Sequence, residues 1–269
     1  MVHLTMLNTR LLVSIFVLIN GVYCFIQIKN FKSKTMVKPK ILRNNNTSKL
    51  LAIQGVGEDG CRLESPSKIN TLPLISQTLI FTSVFGALFI GTDLLNNLFN
   101  IASTQTYTQL YFNYWKESWP LLGVIYFAAG LAHFKINEDF ENIYPQKGSW
   151  GIWYVPGSSQ FHVAWTGVAE IIGGLGLSIG ALSNKFFGIN LPSISGSSLA
   201  ADSALSLFLL TLAVTPANIY MFTHGARLPV NGPEVPLIGH LFRGILQVIL
   251  LAFLLQMASP TIDVILSGI

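Results

Sequence analysis

Charged residues are scarce in this chain of 269 residues: Asp, Glu, Lys and Arg together make up only 10% of it. Soluble domains carry about a quarter charged residues. Hydrophobic residues account for 51% of the chain, and the mean hydropathy is +0.54. The shortage of charge excludes an ordinary water-soluble domain and indicates a protein whose outer surface faces lipid.

Cysteine is nearly absent as well. The chain has two cysteines, Cys24 and Cys61, and Cys24 closes a segment that we expect to be removed. A single remaining thiol excludes an internal disulfide, a CxxC motif and a cysteine-rich metal site. We predict no metal site.

Acidic residues are missing from residues 1–57, which contain eight lysines and arginines. Without these eight, the rest of the chain has eight basic residues against twelve acidic ones, a net charge near −4. The positive charge therefore belongs to the N-terminal region and not to a binding face, which excludes a nucleic-acid partner.

Residues 1–24 have the layout of a secretory signal peptide, with Arg10 before an apolar run of about ten residues. Residues 25–57 are basic and acid-free, as organelle transit peptides are, and we predict that they are disordered. A signal followed by a transit-like stretch, with Phe25 at the junction, resembles the bipartite presequences of algae with secondary plastids. The resemblance implies a plastid membrane protein; the alternative is an endomembrane protein with a disordered basic tail.

Four segments are long and uncharged enough to span a membrane: 119–133, with a start as early as Tyr111, then 161–182, 203–224 and 237–257. A fifth candidate, 72–92, is either transmembrane or an interfacial or re-entrant helix. The predicted fold is all-α, a polytopic four-helix membrane bundle with one extra N-terminal helix.

Aromatic and small residues suggest how this bundle is placed and packed. Tryptophans and tyrosines flanking the spans are expected to lie at the headgroup level. Glycines crowd the second span and include Gly176-x-x-x-Gly180, which predicts close helix packing. The expected interfacial aromatic residues are Trp115, Trp119, Trp150, Trp153, Tyr154 and Trp165.

Polar residues within the spans are expected in one half of the bilayer. Successive spans run antiparallel, so the end of one and the start of the next share a side, and the opposite half is expected to be apolar apart from Gly and Ser. The predicted intramembrane polar cluster consists of His133, Glu170, Asn218, His224, Arg243 and Gln247.

Glu170 and Arg243 are the natural partners in this cluster, because an unpaired charge inside a membrane costs several kcal/mol. We therefore predict an ion pair between them, with Gln247 on the same helix face as Arg243. Pro216 removes a backbone donor and is expected to kink the third span near Asn218.

Two interpretations of the cluster remain open. It forms a pocket for a quinone headgroup, a proton path or a small solute, or it only holds the helices together. Haem or chlorophyll is disfavoured, because the histidines lie near helix ends and none forms an i, i+4 ligand pair. The catalytic residues cannot be named from the sequence.

Three sequence blocks and two later residues resemble the DoxX-like family of small membrane proteins. The resemblance spans residues 111–257 and leaves residues 1–110 outside. It implies a four-helix membrane bundle whose polar set is the predicted cluster. The matching positions are AAGLAHF at 128–134, GVAEIIGGLGL at 167–177 and PANIYMFTH at 216–224, followed by Arg243 and Gln247.

The family takes its name from a subunit of a thiosulfate:quinone oxidoreductase, and some relatives associate with redox complexes. The resemblance thus implies a redox-linked membrane subunit that handles a quinone. The alternative is a non-catalytic structural or assembly subunit of a larger, photosynthetic membrane complex. Membrane lipids are the expected surroundings in both cases, and a small-solute or proton transporter ranks last.

Overall fold

The computed structural model describes residues 69–228 and 234–267, and the predicted segments 1–24 and 25–57 lie outside them. The described residues form an all-α bundle, as predicted from the sequence. Its seven α-helices are α1 (Leu74–Thr104), α2 (Gln109–Lys116), α3 (Leu122–Lys135), α4 (Asn137–Asn142), α5 (Ser159–Phe187), α6 (Leu199–His224) and α7 (Leu237–Ser267).

Four of these helices are long and apolar enough to cross a membrane: α1, α5, α6 and α7. The second, third and fourth predicted spans correspond to α5, α6 and α7. Residues 74–92 of the extra segment 72–92 lie in α1, a helix of 31 residues, whose length favours a span over an interfacial helix. The chain is an integral membrane protein.

The first predicted span differs from its prediction. A continuous helix from Tyr111 does not form, because α2 ends at Lys116 and the chain turns through a 3-10 helix at Trp119–Leu121 around Pro120. Helix α3 has 14 residues and is about 21 Å long at about 1.5 Å per residue. It is therefore shorter than the roughly 30 Å hydrocarbon layer.

Local capping explains the ends of α5 and α6. The hydroxyls of Ser158 and Ser198 accept hydrogen bonds from the backbone N–H groups three residues later, which opens each helix. Gly188 and Gly225 follow the last residues in the left-handed conformation, with φ of 64° and 71°. Such glycines end helices because they lack a Cβ atom.

Close backbone approach joins α3 to α5. A Cβ atom placed on Gly130 would lie 2.6 Å from the carbonyl oxygen of Gly167, and one on Gly174 would lie 2.5 Å from that of Gly123. Both helices thus present glycines seven residues apart to each other. Only hydrogen fits between them, so the prediction of tight packing from the glycine content of the second span is confirmed.

The remaining glycines of α5 face α6. A Cβ atom on Gly176 would meet the Ser203 side chain, and one on Gly180 would lie 2.7 Å from the backbone nitrogen of Ala200. Helix α6 in turn packs along α7, and α7 packs along α1. Together these contacts arrange the helices in the order α3, α5, α6, α7, α1.

Aromatic rings fill the end of the bundle near α2. Trp119 and Phe253 stack with ring centroids 4.3 Å apart, and Phe99 lies 5.4 Å from Trp119. Trp119 is only 2% exposed, so its predicted place at the lipid headgroups is wrong. Trp165 and Tyr154 are exposed, as interfacial residues would be.

The segment between α3 and α5 folds back onto the other end of the bundle. Trp150 is fully buried there, with its ring 4.4 Å from Phe81 of α1 and 5.8 Å from Tyr220 of α6. Its predicted place at the headgroups is therefore wrong as well. Trp150 has the left-handed φ of 55°, a conformation that non-glycine residues rarely adopt.

Candidate functional site

Glu170 and His133 meet at the interface between α5 and α3. Glu170 Oε2 lies 3.3 Å from His133 Nδ1, and the two residues are 7% and 8% exposed. Glu170 stands eleven residues into α5, about 16 Å along the helix. A carboxyl group is thus held deep in an apolar bundle beside one imidazole.

The hydrogen bonds of the imidazole define its tautomer. His133 Nδ1 lies 3.0 Å from the carbonyl oxygen of Ala129, which can only accept, so Nδ1 carries the hydrogen. Because that N–H is directed at Ala129, Glu170 Oε2 makes no hydrogen bond within the described part of the chain. The pair is close enough to pass a proton and keeps one carboxyl oxygen for another donor.

Two neighbours hold His133 in place. The Phe140 ring of α4 stacks on the His133 ring, with centroids 3.9 Å apart and planes inclined by 17°. Gly167 of α5 packs against His133, because a Cβ atom on Gly167 would lie 2.7 Å from the Cβ atom of His133. On the inner side, the Tyr126 hydroxyl pairs with that of Thr211 at 2.5 Å.

Arg243 belongs to a second polar group, between α6 and α7. Its Nη2 donates to Asn218 Oδ1 at 2.6 Å, and the Asn218 amide donates to Gln247 Oε1 at 3.1 Å. The Gln247 amide donates in turn to the Thr215 hydroxyl at 2.5 Å. The structure therefore brings Asn218, Arg243 and Gln247 together, as the sequence predicted.

The predicted ion pair between Glu170 and Arg243 is wrong. Among the described residues, the ion-pair partner of Glu170 is His133, and Arg243 bonds to Asn218. Arg243 lies six residues into α7, about 9 Å along it, whereas Glu170 lies about 16 Å along α5. The difference exceeds one helical turn, and the neighbours of α5 are α3 and α6.

His224 joins neither group. Its Nδ1 lies 2.8 Å from the Thr223 hydroxyl, which accepts a hydrogen bond from Trp150 Nε1 at 2.9 Å. Its ring stacks on Tyr220, with centroids 4.4 Å apart. His224 thus helps to seat the segment between α3 and α5 against α6.

Pro216 lies inside α6, and the helix continues past it to His224. The neighbouring residues Thr215 and Asn218 carry the hydrogen-bonded group between α6 and α7. A kink at Pro216 stays a prediction.

The opposite half of the bundle contains polar groups that the sequence analysis missed. Asp202 Oδ1 accepts from Thr261 Oγ1 at 2.7 Å and from Ser195 Oγ at 2.5 Å. The Gln256 amide donates to Asn96 and Asn100, each at 2.7 Å. The expectation of an apolar opposite half is wrong. The four-residue spacing of Asn96 and Asn100 on one helix face was the signal available.

Comparison with known proteins adds no relative: no family model, no curated protein and no solved structure matches this chain. Functional inference therefore rests on the geometry of the two polar groups. The Glu170–His133 pair can accept, hold and release a proton and can donate hydrogen bonds to a ligand. The Arg243–Asn218–Gln247–Thr215 group is bonded within itself and links two helices.

Proposed function

We propose that this chain is a DoxX-like, redox-linked subunit of a plastid membrane that holds a quinone headgroup beside Glu170 and His133. The observation that carries this proposal is Glu170 itself: a carboxyl group 7% exposed, with Oε2 lacking a hydrogen-bond partner among the described residues. Ionisable groups inside a membrane are costly, and they are functional candidates for that reason.

The chemistry of a quinone suits this pair. Its headgroup carbonyls accept hydrogen bonds, and its reduction to a quinol consumes two electrons and two protons. A carboxyl and an imidazole 3.3 Å apart offer both donors and protons. In this proposal the electrons come from a redox partner protein, and the subunit supplies binding and protons.

The outer face of α5 is apolar at the depth of Glu170. Val168 and Ile172, two residues to either side, are 47% and 66% exposed on the outer surface of the bundle. A lipid-soluble ligand is therefore favoured over a solute from water.

Quinone titration of the purified protein in nanodiscs tests the proposal. Glu170→Leu is expected to weaken quinone binding about fivefold, because it removes the O–H donor of the neutral carboxyl and such a hydrogen bond contributes about 1 kcal/mol. Glu117→Leu is the matched control, since Glu117 pairs with Lys185 on the surface and is expected to leave binding unchanged. Equal binding by all three proteins would contradict the proposal.

The family and plastid parts of the proposal are supported by sequence. His133 and Glu170 both stand inside blocks that resemble the DoxX-like pattern, and residues 1–57 have the bipartite layout. Sequencing the N-terminus of the mature protein from isolated plastids tests the location. A mature protein that keeps residues 25–57, or that is absent from plastids, would contradict it.

A structural subunit of a larger photosynthetic complex is the second candidate, favoured by α1. Only 6% of the most apolar part of this helix is buried inside the protein, so the side of α1 away from α7 is free to meet lipid or another subunit. Size separation of gently solubilised membranes tests this candidate. A single small species would count against it.

A further inference from the structure

Helix α4 lies over the imidazole of the Glu170–His133 pair. His133 is two residues from the end of α3, and the chain continues almost directly into α4, whose Phe140 ring covers the imidazole at 3.9 Å. His133 thus lies next to the end of α3, whereas Glu170 lies about 16 Å along α5.

The outer side of this cover is acidic. In six residues α4 carries Glu138, Asp139 and Glu141; Glu138 is exposed, Glu141 is half-buried and Asp139 is buried. Glu141 Oε2 accepts a hydrogen bond from the Ser159 hydroxyl at 3.3 Å, which ties α4 to the first residue of α5. Burial raises the pKa of Glu141; the Ser159 bond opposes that rise and the charge of Glu138 adds to it. A carboxyl with a raised pKa holds protons closer to neutral pH.

We propose that protons reach Glu170 from the acidic face of α4, with His133 as the relay. The proposal deepens the proposed function and rests on it, because quinone reduction needs a supply of protons. The route itself is argued from the contacts of His133 and Glu170. Two independent observations support it: the Phe140 ring of α4, between Asp139 and Glu141 in the sequence, stacks on the imidazole, and the buried Glu170 Oε2 faces that imidazole without a hydrogen bond in the described residues.

The relay balances as a proton shuttle. A proton from the α4 side binds His133 Nε2, the ring nitrogen that does not bond to Ala129, and gives an imidazolium. A small rotation of the ring turns the Nδ1–H from the Ala129 carbonyl oxygen to Glu170 Oε2, 3.3 Å away, and transfer of that proton converts the carboxylate to the acid. His133 is left neutral with its hydrogen on Nε2. The starting tautomer is restored when Nε2 releases this proton to the α4 side and Nδ1 takes up one from water, so each cycle delivers one proton to Glu170.

The inner side of the pair offers no such route. Tyr126 is hydrogen-bonded to Thr211, which also donates to the carbonyl oxygen of Leu207. Beyond them, Leu207 and Leu177 are 0% and 1% exposed. The titratable groups at this end of α5 and of the helices packed on it include Tyr126, His133, Lys135, Glu138, Asp139, Glu141, Tyr144, His162, Tyr220 and His224.

Infrared spectroscopy of the full protein in nanodiscs tests the route. The carboxyl band of Glu170 is assigned by its loss in Glu170→Gln, and its hydrogen–deuterium exchange is timed after transfer to heavy water. His133→Gln is expected to slow exchange at least about tenfold, since a positioned acid–base group contributes about a hundredfold or more. Replacing Glu138 and Glu141 together by Gln is expected to slow it less.

The matched control is His162→Gln. His162 lies on α5 near the same surface, bonded to the carbonyl oxygen of Pro156 and stacked on Tyr144, and is expected to leave exchange unchanged. Phe140→Ala provides a second variant that removes the cover and keeps the relay, so exchange stays as fast or becomes faster. Helical content measured by circular dichroism verifies that each variant is folded.

The route is overturned if His133→Gln exchanges as fast as the original protein, if Tyr126→Phe is the variant that slows exchange, or if no carboxyl band of Glu170 forms between about pH 4 and 9. Quinone titration on the same samples separates the two proposals. If the original protein binds no quinone and His133→Gln still slows the exchange, only the proposed function is contradicted. Normal quinone binding with unchanged exchange in His133→Gln would contradict only the route.

Discussion

Gly130 of α3 lies against Gly167 of α5 so closely that a Cβ atom on Gly130 would stand 2.6 Å from the carbonyl oxygen of Gly167. This contact brings the backbones of the two helices together beside the Glu170–His133 pair. Small residues are needed here because packing, and not the hydrophobic effect, drives helix association in lipid.

Gly130→Ala is therefore expected to destabilise the protein by about 1–3 kcal/mol, because the added methyl group meets backbone that cannot move aside alone. Unfolding by a denaturing detergent in mixed micelles measures the change. Gly86→Ala in α1 is the matched control. Nothing lies within 4 Å of a Cβ atom at Gly86, so alanine there is expected to be neutral or stabilising.

Gln247→Leu is expected to cost about 1 kcal/mol. The substitution removes the bonds to Asn218 and Thr215, and hydrogen bonds between membrane helices average about 0.6 kcal/mol each. The same detergent titration measures the loss. Gln109→Leu, at an exposed position in α2, is the control, and equal effects of both substitutions would argue against the bonded group between α6 and α7.

Trp150 and Trp165 are expected to differ in their contact with lipid. Trp165 is 39% exposed on α5, whereas Trp150 is fully buried. Brominated lipids quench tryptophan that they touch, so Trp165→Phe should remove much of the quenchable fluorescence and Trp150→Phe should remove little. The reverse result would restore the interfacial position predicted for Trp150.

Asp202→Asn is expected to loosen the loop of residues 188–198. The carboxylate accepts from the Ser195 backbone at 3.1 Å as well as from the hydroxyls of Ser195 and Thr261, and bonds to a charged acceptor are about twice as strong as neutral ones. Loss of about 1 kcal/mol corresponds to about fivefold faster proteolysis of this loop. The exposed Asp263→Asn serves as the control, with no change expected.

Much of the helical architecture was predictable. Helices α5, α6 and α7 cover the predicted second, third and fourth spans, because long uncharged apolar runs leave few other ways to satisfy the backbone in lipid. The first span was misjudged, since residues 111–133 are apolar enough for one helix but Pro120 and the turn before it divide them. A hydropathy value averaged over a window of residues does not detect such a break in the helix.

The sequence predicted which charged residues form the candidate site, but not which of them bond to each other. The cluster named from the sequence contains both Glu170 and Arg243, but they bond to different partners. His133 had been expected only as a member of the cluster, and Tyr126, Thr211 and Thr215 were missed. Hydroxyl groups on apolar helices leave no signal in charge or hydropathy.

Composition alone determined that this chain is a membrane protein, because with 51% hydrophobic and only 10% charged residues it has too few charges for a surface that faces water. Tertiary structure decided which side chains face each other. The depth of a residue along its helix depends on where that helix begins, and the neighbours of a helix depend on backbone contacts such as that of Gly130 with Gly167. These two quantities place His133 beside Glu170 and Asn218 beside Arg243.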